Sequence, residues 1–175
     1  MTNKNQWHSI FIETPVGKMT IVFQENPFLL AKILLPGKKI NTSVQSFHRD
    51  PAVFKQGADE IREISRILND ALSGKTFQIP WDFMGMDGFT VLQRAVYMKT
   101  AQIPYGSLST YKKIAEDIGR PGAYRFVGTT LVKNLFPILI PCHRVIRSDN
   151  NIGGFGGGSA LKQSLIDHEA GCGLL

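Results

Sequence analysis

The sequence predicts an α+β chain in two parts. A small N-terminal module is built on an antiparallel three-stranded sheet, and a mostly helical C-terminal domain containing a helix-turn-helix follows it. Three observations carry this. Short runs of β-branched and aromatic residues fill the first 35 positions, helical spacing dominates from about residue 89 onward, and a Gly/Pro-containing stretch separates the two.

The strands come first. "HSIFIET", "GKMTIVFQ" and "FLLAKILLP" are separated by the turn signals "TPVG" and "ENP". Links this short join neighbouring antiparallel strands. A loop is expected to run to about residue 56. In "DEIREISRILNDALSG", Ile61, Ile64, Ile67, Leu68 and Leu72 recur at helical spacing until Gly74 stops the pattern. The stretch "FQIPWDFMGMDG" reads as the link, giving modules at 1–80 and 88–175.

In the second module, "FTVLQRAVYMKTA" has Thr90 and Gln93 in capping-box spacing, with Phe89, Leu92 and Val96 on one face. In "SLSTYKKIAEDIG", Tyr111, Ile114, Ala115 and Ile118 share a face. "RPG" breaks that helix and "AYRFVGTTLVKN" starts another, which is the outline of a helix-turn-helix with basic residues on its second helix. An αα-hairpin without a DNA role has the same outline. In "SALKQSLIDHEAG", Ser159 is the expected N-cap, and the row Leu161, Leu165 continues onto Glu169. A carboxylate at the end of an apolar row needs a partner inside. The "GGFGGG" cluster lacks the spacing of a phosphate loop, so it reads as a place where backbone approaches a ligand closely.

Composition narrows the function. Hydrophobic residues are 43% and charged residues 19%, as in a soluble globular chain, and no apolar run reaches the roughly 20 residues that span a bilayer. The polar start "MTNKNQWHSIFIETP" does not read as a signal peptide, so the expected compartment is the cytoplasm, with no membrane partner. Two cysteines make neither a disulfide framework nor a zinc quartet. The net charge of +6 is uneven: residues 1–87 carry +1 and residues 88–175 carry +5. An anionic partner such as nucleic acid fits that asymmetry, and so does simple solubility.

Chemistry concentrates in "ILIPCHRVI". Pro141 fixes the backbone before Cys142, and His143 and Arg144 follow it, surroundings that favour a thiolate. Adjacent residues on an extended chain point to opposite sides, so His143 needs a turn or a bridging water to serve the sulfur. Glu169 is the best candidate to orient the imidazole, giving a relay of Glu169, His143, water and Cys142.

The stretch "NLFPILIPCHRVI", 134–146, resembles the O6-alkylguanine-DNA alkyltransferases, also called methylated-DNA–protein-cysteine methyltransferases. The Pro-Cys-His-Arg-Val element is specific to them. The resemblance spans roughly 88–175 and reaches more weakly to "TPVGKMTIVF". It implies a ribonuclease-H-like first module and a second that binds DNA through the minor groove with the second helix of the helix-turn-helix.

It further implies that Cys142 is the alkyl acceptor, His143 the water-linked base, Glu169 its orienting partner and Asn134 the residue holding the active-site turn. Tyr111 would crowd the 3′ phosphate and hydrogen-bond the flipped base. Arg125 would fill the stack the base leaves, with Gly128 and Thr129 also on the DNA face. The Val145 carbonyl would read the guanine edge, with Phe155 and Gly156 completing the pocket. Taken singly, core packing accounts for Tyr111, a helix C-cap for Asn134 and a solvated charge for Arg125. Their joint offsets from one cysteine favour the site.

The implied reaction is single-turnover repair of O6-alkylguanine in double-stranded DNA by a monomer, without cofactor or metal. Whether O4-alkylthymine is a substrate stays open. A non-enzymatic damage sensor and a turnover thiol hydrolase are the alternatives; the presence of Cys142 opposes the first. The chain departs from the family at Phe155, where a tyrosine is common, at Gly156, often a serine, and at Tyr124 and Phe126, which flank Arg125 where small residues are usual.

Overall fold

The computed structural model describes residues 7–38, 46–48, 54 and 57–171. Cys172 lies outside them. The chain divides into two compact units with the boundary after Gly85.

The first unit is a four-stranded sheet and one long helix. β1 (Trp7–Ile12), β2 (Met19–Gln24) and β3 (Leu29–Leu34) form the antiparallel meander that the short turns predict, in the order β3-β2-β1-β4. The fourth strand, β4 (Ser46–His48), lies in the stretch read as loop and pairs in parallel with β1. Three residues with no alternation outside "SFH" leave no periodic signal, and a parallel partner needs a long crossover that looks like a loop. All six residues of β2 are buried, so both faces of the central strand are covered. Its Phe23 packs on Phe54 at 4.9 Å and on Phe28 at 5.5 Å.

Helix α1 (Ala58–Leu72) buries Ile61, Ile64, Ile67, Leu68, Ala71 and Leu72, the stripe its spacing predicts. Each of the isoleucines and leucines contributes about 1.5–3 kcal/mol of transfer free energy. Its outer face carries i,i+3 and i,i+4 ion pairs, Arg66 with Glu63 and Asp70. The first part of the link stays with this unit: Met84 is buried and bridges Leu30, and the Gly85 amide donates to the Leu30 carbonyl at 2.8 Å.

The second unit is helical. α2 (Val91–Ala101) opens on the Thr90/Gln93 capping box, satisfied in both directions. It buries Val96, Tyr97 and Thr100, while Phe89 and Leu92 are half-buried. β5 (Ser109–Thr110) leads into α3 (Tyr111–Asp117), capped by the Thr110 hydroxyl. A single 3-10 turn at Pro121–Ala123 separates α3 from α4 (Tyr124–Val132), completing the helix-turn-helix. β6 (Val145–Ile146) pairs in parallel with β5, Ser109 opposite Val145. That two-residue ladder ties the start of the helix-turn-helix to the cysteine motif. α5 (Ser159–Glu169) ends the described chain. Its N-cap is Gly158 at φ 89°, not Ser159; the serine is already the first helical residue and makes no cap hydrogen bond. The left-handed φ at the cap position favours glycine, which moves the boundary by one.

Candidate active site

The site starts from an apolar segment that the chain cannot leave extended. Between α4 and β6, residues 136–146 are all buried. Their backbone polar groups therefore need partners. Asn134 supplies three contacts. Its Oδ1 accepts from the Phe136 amide at 2.9 Å, and its Nδ2 donates to the Ile140 carbonyl at 2.9 Å and to Cys142 Sγ at 3.1 Å. The C-cap of α4 is Lys133, so capping is not what Asn134 does. The turn holds Ile138 at φ 74°, a conformation a β-branched residue adopts only when its surroundings enforce it.

After Pro141 the chain makes one 3-10 turn, Cys142–Arg144. A turn was one of the two arrangements, with a bridging water, that the sequence left open for His143 and its neighbour. All three side chains are buried. His143 Nε2 donates to Glu169 Oε1 at 2.9 Å. Arg144 grips the same carboxylate from a second direction, Nε to Oε2 at 2.8 Å and Nη2 to Oε1 at 2.9 Å, while its Nη1 donates to the Ile103 carbonyl at 2.8 Å. The Gly106 amide adds a fourth donor to Glu169 at 3.1 Å. This is the partner that a carboxylate ending the α5 row requires. Burial would raise the pKa of Glu169, but hydrogen bonds and charge from His143 and Arg144 outweigh it and hold the group at about 2.

An ionised carboxylate only accepts, so His143 carries its proton on Nε2 and leaves Nδ1 as the lone-pair atom. His143 Nδ1 is the buried side-chain nitrogen or oxygen that, among the described residues, has no hydrogen-bond partner. Burial lowers the pKa of the imidazole below its ordinary value despite Glu169, and the Arg144 and Lys162 charges push the same way. Burial pushes the Cys142 thiol up to about 11, against the pull of the Asn134 hydrogen bond and the Lys162 charge. The resting site therefore holds a thiol and a neutral imidazole.

Sequence reasoning missed Lys162. It lies on α5, fully buried, with Nζ donating to the Val145 carbonyl at 2.6 Å and to the Ile152 carbonyl. Longer contacts at 3.4 Å reach the Gly154 carbonyl and the Tyr111 hydroxyl. Burial lowers its pKa to about 8, opposed by Cys142. A signal was there: Lys162, Leu165 and Glu169 fall on one helical face at i, i+3 and i+7. Leu161, read as part of the apolar row, is only half-buried.

Tyr111 is half-buried at the start of α3; its hydroxyl donates to the Gly154 carbonyl at 3.3 Å, and burial raises its pKa. Gly153, at φ 67°, passes so close that a Cβ there would lie 2.8 Å from that hydroxyl. The glycine cluster is thus a close approach to Tyr111. Phe155 sits edge-on to His143, ring centroids 6.4 Å apart, and Gly156 is exposed. On α4, Arg125 and Thr129 are exposed, whereas Gly128 is half-buried and turns its Cα hydrogens toward the Tyr111 ring. The structure thus gathers Cys142, His143, Glu169, Asn134, Tyr111, Val145 and Phe155 in one unit, with Arg125 on the exposed face of α4.

The chain has clear relatives among known proteins. The profile described as 6-O-methylguanine DNA methyltransferase, DNA binding domain, matches residues 91–171. The methylated-DNA–protein-cysteine methyltransferase of Methanosarcina barkeri is 34% identical over 160 residues, covering 90% of this chain and 94% of the relative. The chain belongs to the methylated-DNA–protein-cysteine methyltransferase family. The Mycobacterium tuberculosis member is 30% identical over 93% of this chain and 92% of its own length. The crystal structure of Mycobacterium tuberculosis OGT in complex with DNA superposes with a TM-score of 0.71 at 28% identity, covering 94% of both chains. The helix-turn-helix and Cys142 both lie inside the 91–171 span of that DNA-binding-domain profile. Among the described residues, no helix is long and apolar enough to cross a membrane.

Proposed function

We propose that this methyltransferase repairs O6-alkylguanine in double-stranded DNA by moving the alkyl group irreversibly onto Cys142. The observation that carries the reading is the fixed tautomer of His143. Glu169, ionised and held by Arg144, takes the Nε2 proton's hydrogen bond and leaves Nδ1 free to accept, through one water, the proton of the buried thiol on the same turn.

An O6-alkyl group lies inside the duplex, so the base is flipped out, at a cost of a few kcal/mol. α4 lies in the minor groove with Arg125 in the vacated stack, and Gly128 and Thr129 lie along the backbone. The excess +5 charge of residues 88–175 grips phosphate. The Val145 carbonyl, with one lone pair taken by Lys162, offers the other to the guanine amino group. The Cys142 proton passes through one water to His143 Nδ1. The sulfur lone pair then forms the S–C bond as the C–O6 bond breaks, its electron pair staying on guanine. Guanine takes a proton from the Tyr111 hydroxyl, which is reprotonated from water, and His143 returns its own to solvent. The thioether is not hydrolysed, so each monomer acts once. Phe155 and Gly156 leave the pocket without the usual hydroxyls, and the alkyl range depends on that apolar wall.

Intact mass after incubation with an O6-methylguanine duplex tests this. One methyl group, about 14 Da, should appear on Cys142 alone, with repair reaching a plateau at one equivalent. Multiple turnovers per chain would instead indicate a thiol hydrolase, and binding without mass change a sensor.

A further inference from the structure

Outside the acceptor site, the second unit has a cavity of about 290 Å³ lined by Tyr111, Lys112, Tyr124, Arg147, Ser148 and Asp149. Tyr111 belongs to both places. Its hydroxyl is held inward by Gly154 and Lys162, which fixes the ring as one wall of this outer cavity. The second aromatic wall is Tyr124 on the first turn of α4, 45% exposed. An aromatic ring this exposed gains little from folding. The Arg125 guanidinium lies over it, 5.8 Å from the centroid, so the ring is already packed against the residue expected to enter the duplex.

The rim carries charge that is free to exchange partners. Lys112 meets Glu116 only at 4.0 Å and Arg147 meets Asp149 at 3.4 Å, all four side chains well exposed. Exposed pairs of this kind hold weakly. Asp149, the one acid of the cavity, also accepts from the Asn151 amide at 3.2 Å. Two aromatic walls with two hydrated cations and the Ser148 hydroxyl at the mouth form a stacking platform with a phosphate grip, the combination that binds a nucleotide out of its duplex stack.

We propose that this cavity is a second nucleotide subsite, in which the base next to the lesion in the damaged strand stacks on Tyr124 while its phosphate meets Lys112, Arg147 and Ser148. The proposal rests on the alkyl-transfer reading above. Strand connectivity supports it. A lesion nucleotide whose base reaches Cys142 passes Tyr111, and its neighbour then lies on the outer side of the same ring.

The test compares alkyl transfer from free O6-benzylguanine with transfer from dinucleotides that carry the lesion and one neighbour, on the 3′ or the 5′ side, intact or abasic. An intact neighbour on one side should raise the second-order rate about tenfold over the free base, and an abasic neighbour should lose most of that gain. Tyr124→Ala should remove the gain, measured against the free-base rate of the same variant, and Tyr124→Phe should restore it. A gain that survives Tyr124→Ala or an abasic neighbour would overturn the subsite. So would a variant that slows the free base and the dinucleotide equally, because the ring would then be structural. Failure of wild-type protein to take the alkyl group from any of these substrates would refute the transfer reading itself.

Discussion

Replacing Glu169 by glutamine tests the charge network at its centre. The side chain is only 5% exposed and accepts four hydrogen bonds, from His143, Arg144 twice and Gly106. Glutamine keeps the shape but removes the charge that Arg144, itself 7% exposed, is paired with. Removing one partner of a buried pair costs about 3–5 kcal/mol. A second route gives the same size. The carboxyl falls from an ordinary 4.5 to about 2. At about 1.4 kcal/mol per pH unit that is about 3 kcal/mol. The folded value is depressed, so this contribution is fully present above pH 4.5 and is lost as the pH falls toward 2. Urea unfolding at several pH values, followed by circular dichroism, measures it. Both tryptophans, Trp7 and Trp81, lie in the first unit, so fluorescence would report the wrong transition. Wild type should lose stability through that acid window, and Glu169→Gln should start lower at pH 7 and decline less. Alkyl transfer should slow about 100-fold or more, because an amide donating to Nε2 drives the imidazole proton to Nδ1 and removes the base. A variant within 1 kcal/mol of wild type at pH 7, with an unchanged acid profile, would refute the reasoning (about a quarter of the pair's expected cost).

Two further outcomes bear on residues outside that carboxylate. Lys162→Met, in a Cys142→Ala background, should abolish a rise in stability of up to about 3 kcal/mol as pH goes from 8 to 10.5, because the unfolded chain binds the extra proton in that window. The cysteine is removed because its thiol, raised from 9 to about 11, titrates with the opposite sign; pH-dependent thermal melts decide it, and identical profiles would leave Lys162 without a buried charge. Arg125→Ala and Arg125→Lys should both slow repair of duplex DNA by about tenfold or more while affecting free O6-benzylguanine far less, since a free base needs no stack filled; equal slowing of both substrates would place Arg125 in the pocket or the fold.

How much was legible follows from range. Elements set by local patterns were readable: the capping box at Thr90 and Gln93, the stripe from Ile61 to Leu72, the Pro-Gly break before α4. The motif around Cys142 was readable because its residues are contiguous. What stayed hidden depends on contacts far apart in sequence. β4 forms only because β1 offers an edge. Arg144 looked like a neighbour that favours a thiolate, yet its guanidinium is spent on Glu169 and the Ile103 carbonyl. Lys162 was not singled out at all; the carbonyls of Val145 and Ile152 that hold its buried ammonium come from segments that no local pattern places near α5.

These hidden contacts change what the Cys-His-Glu arrangement can do. In a thiol hydrolase, the group behind the histidine stabilises an imidazolium that forms and reforms through each turnover. Here Arg144 already neutralises Glu169, and Lys162 adds a second positive charge near the imidazole, so a lasting thiolate–imidazolium pair is disfavoured in the resting site. In the proposed transfer the thiol stays protonated until a substrate fills the pocket and excludes water. On that proposal the same positive charges face a transition state in which negative charge moves from sulfur to the departing guanine. Lys162 is placed to act on both ends of that movement, through its charge on Cys142 and its contact with Tyr111. A site arranged this way favours one transfer onto a protected sulfur, which suits a chain that has a single buried cysteine among its described residues.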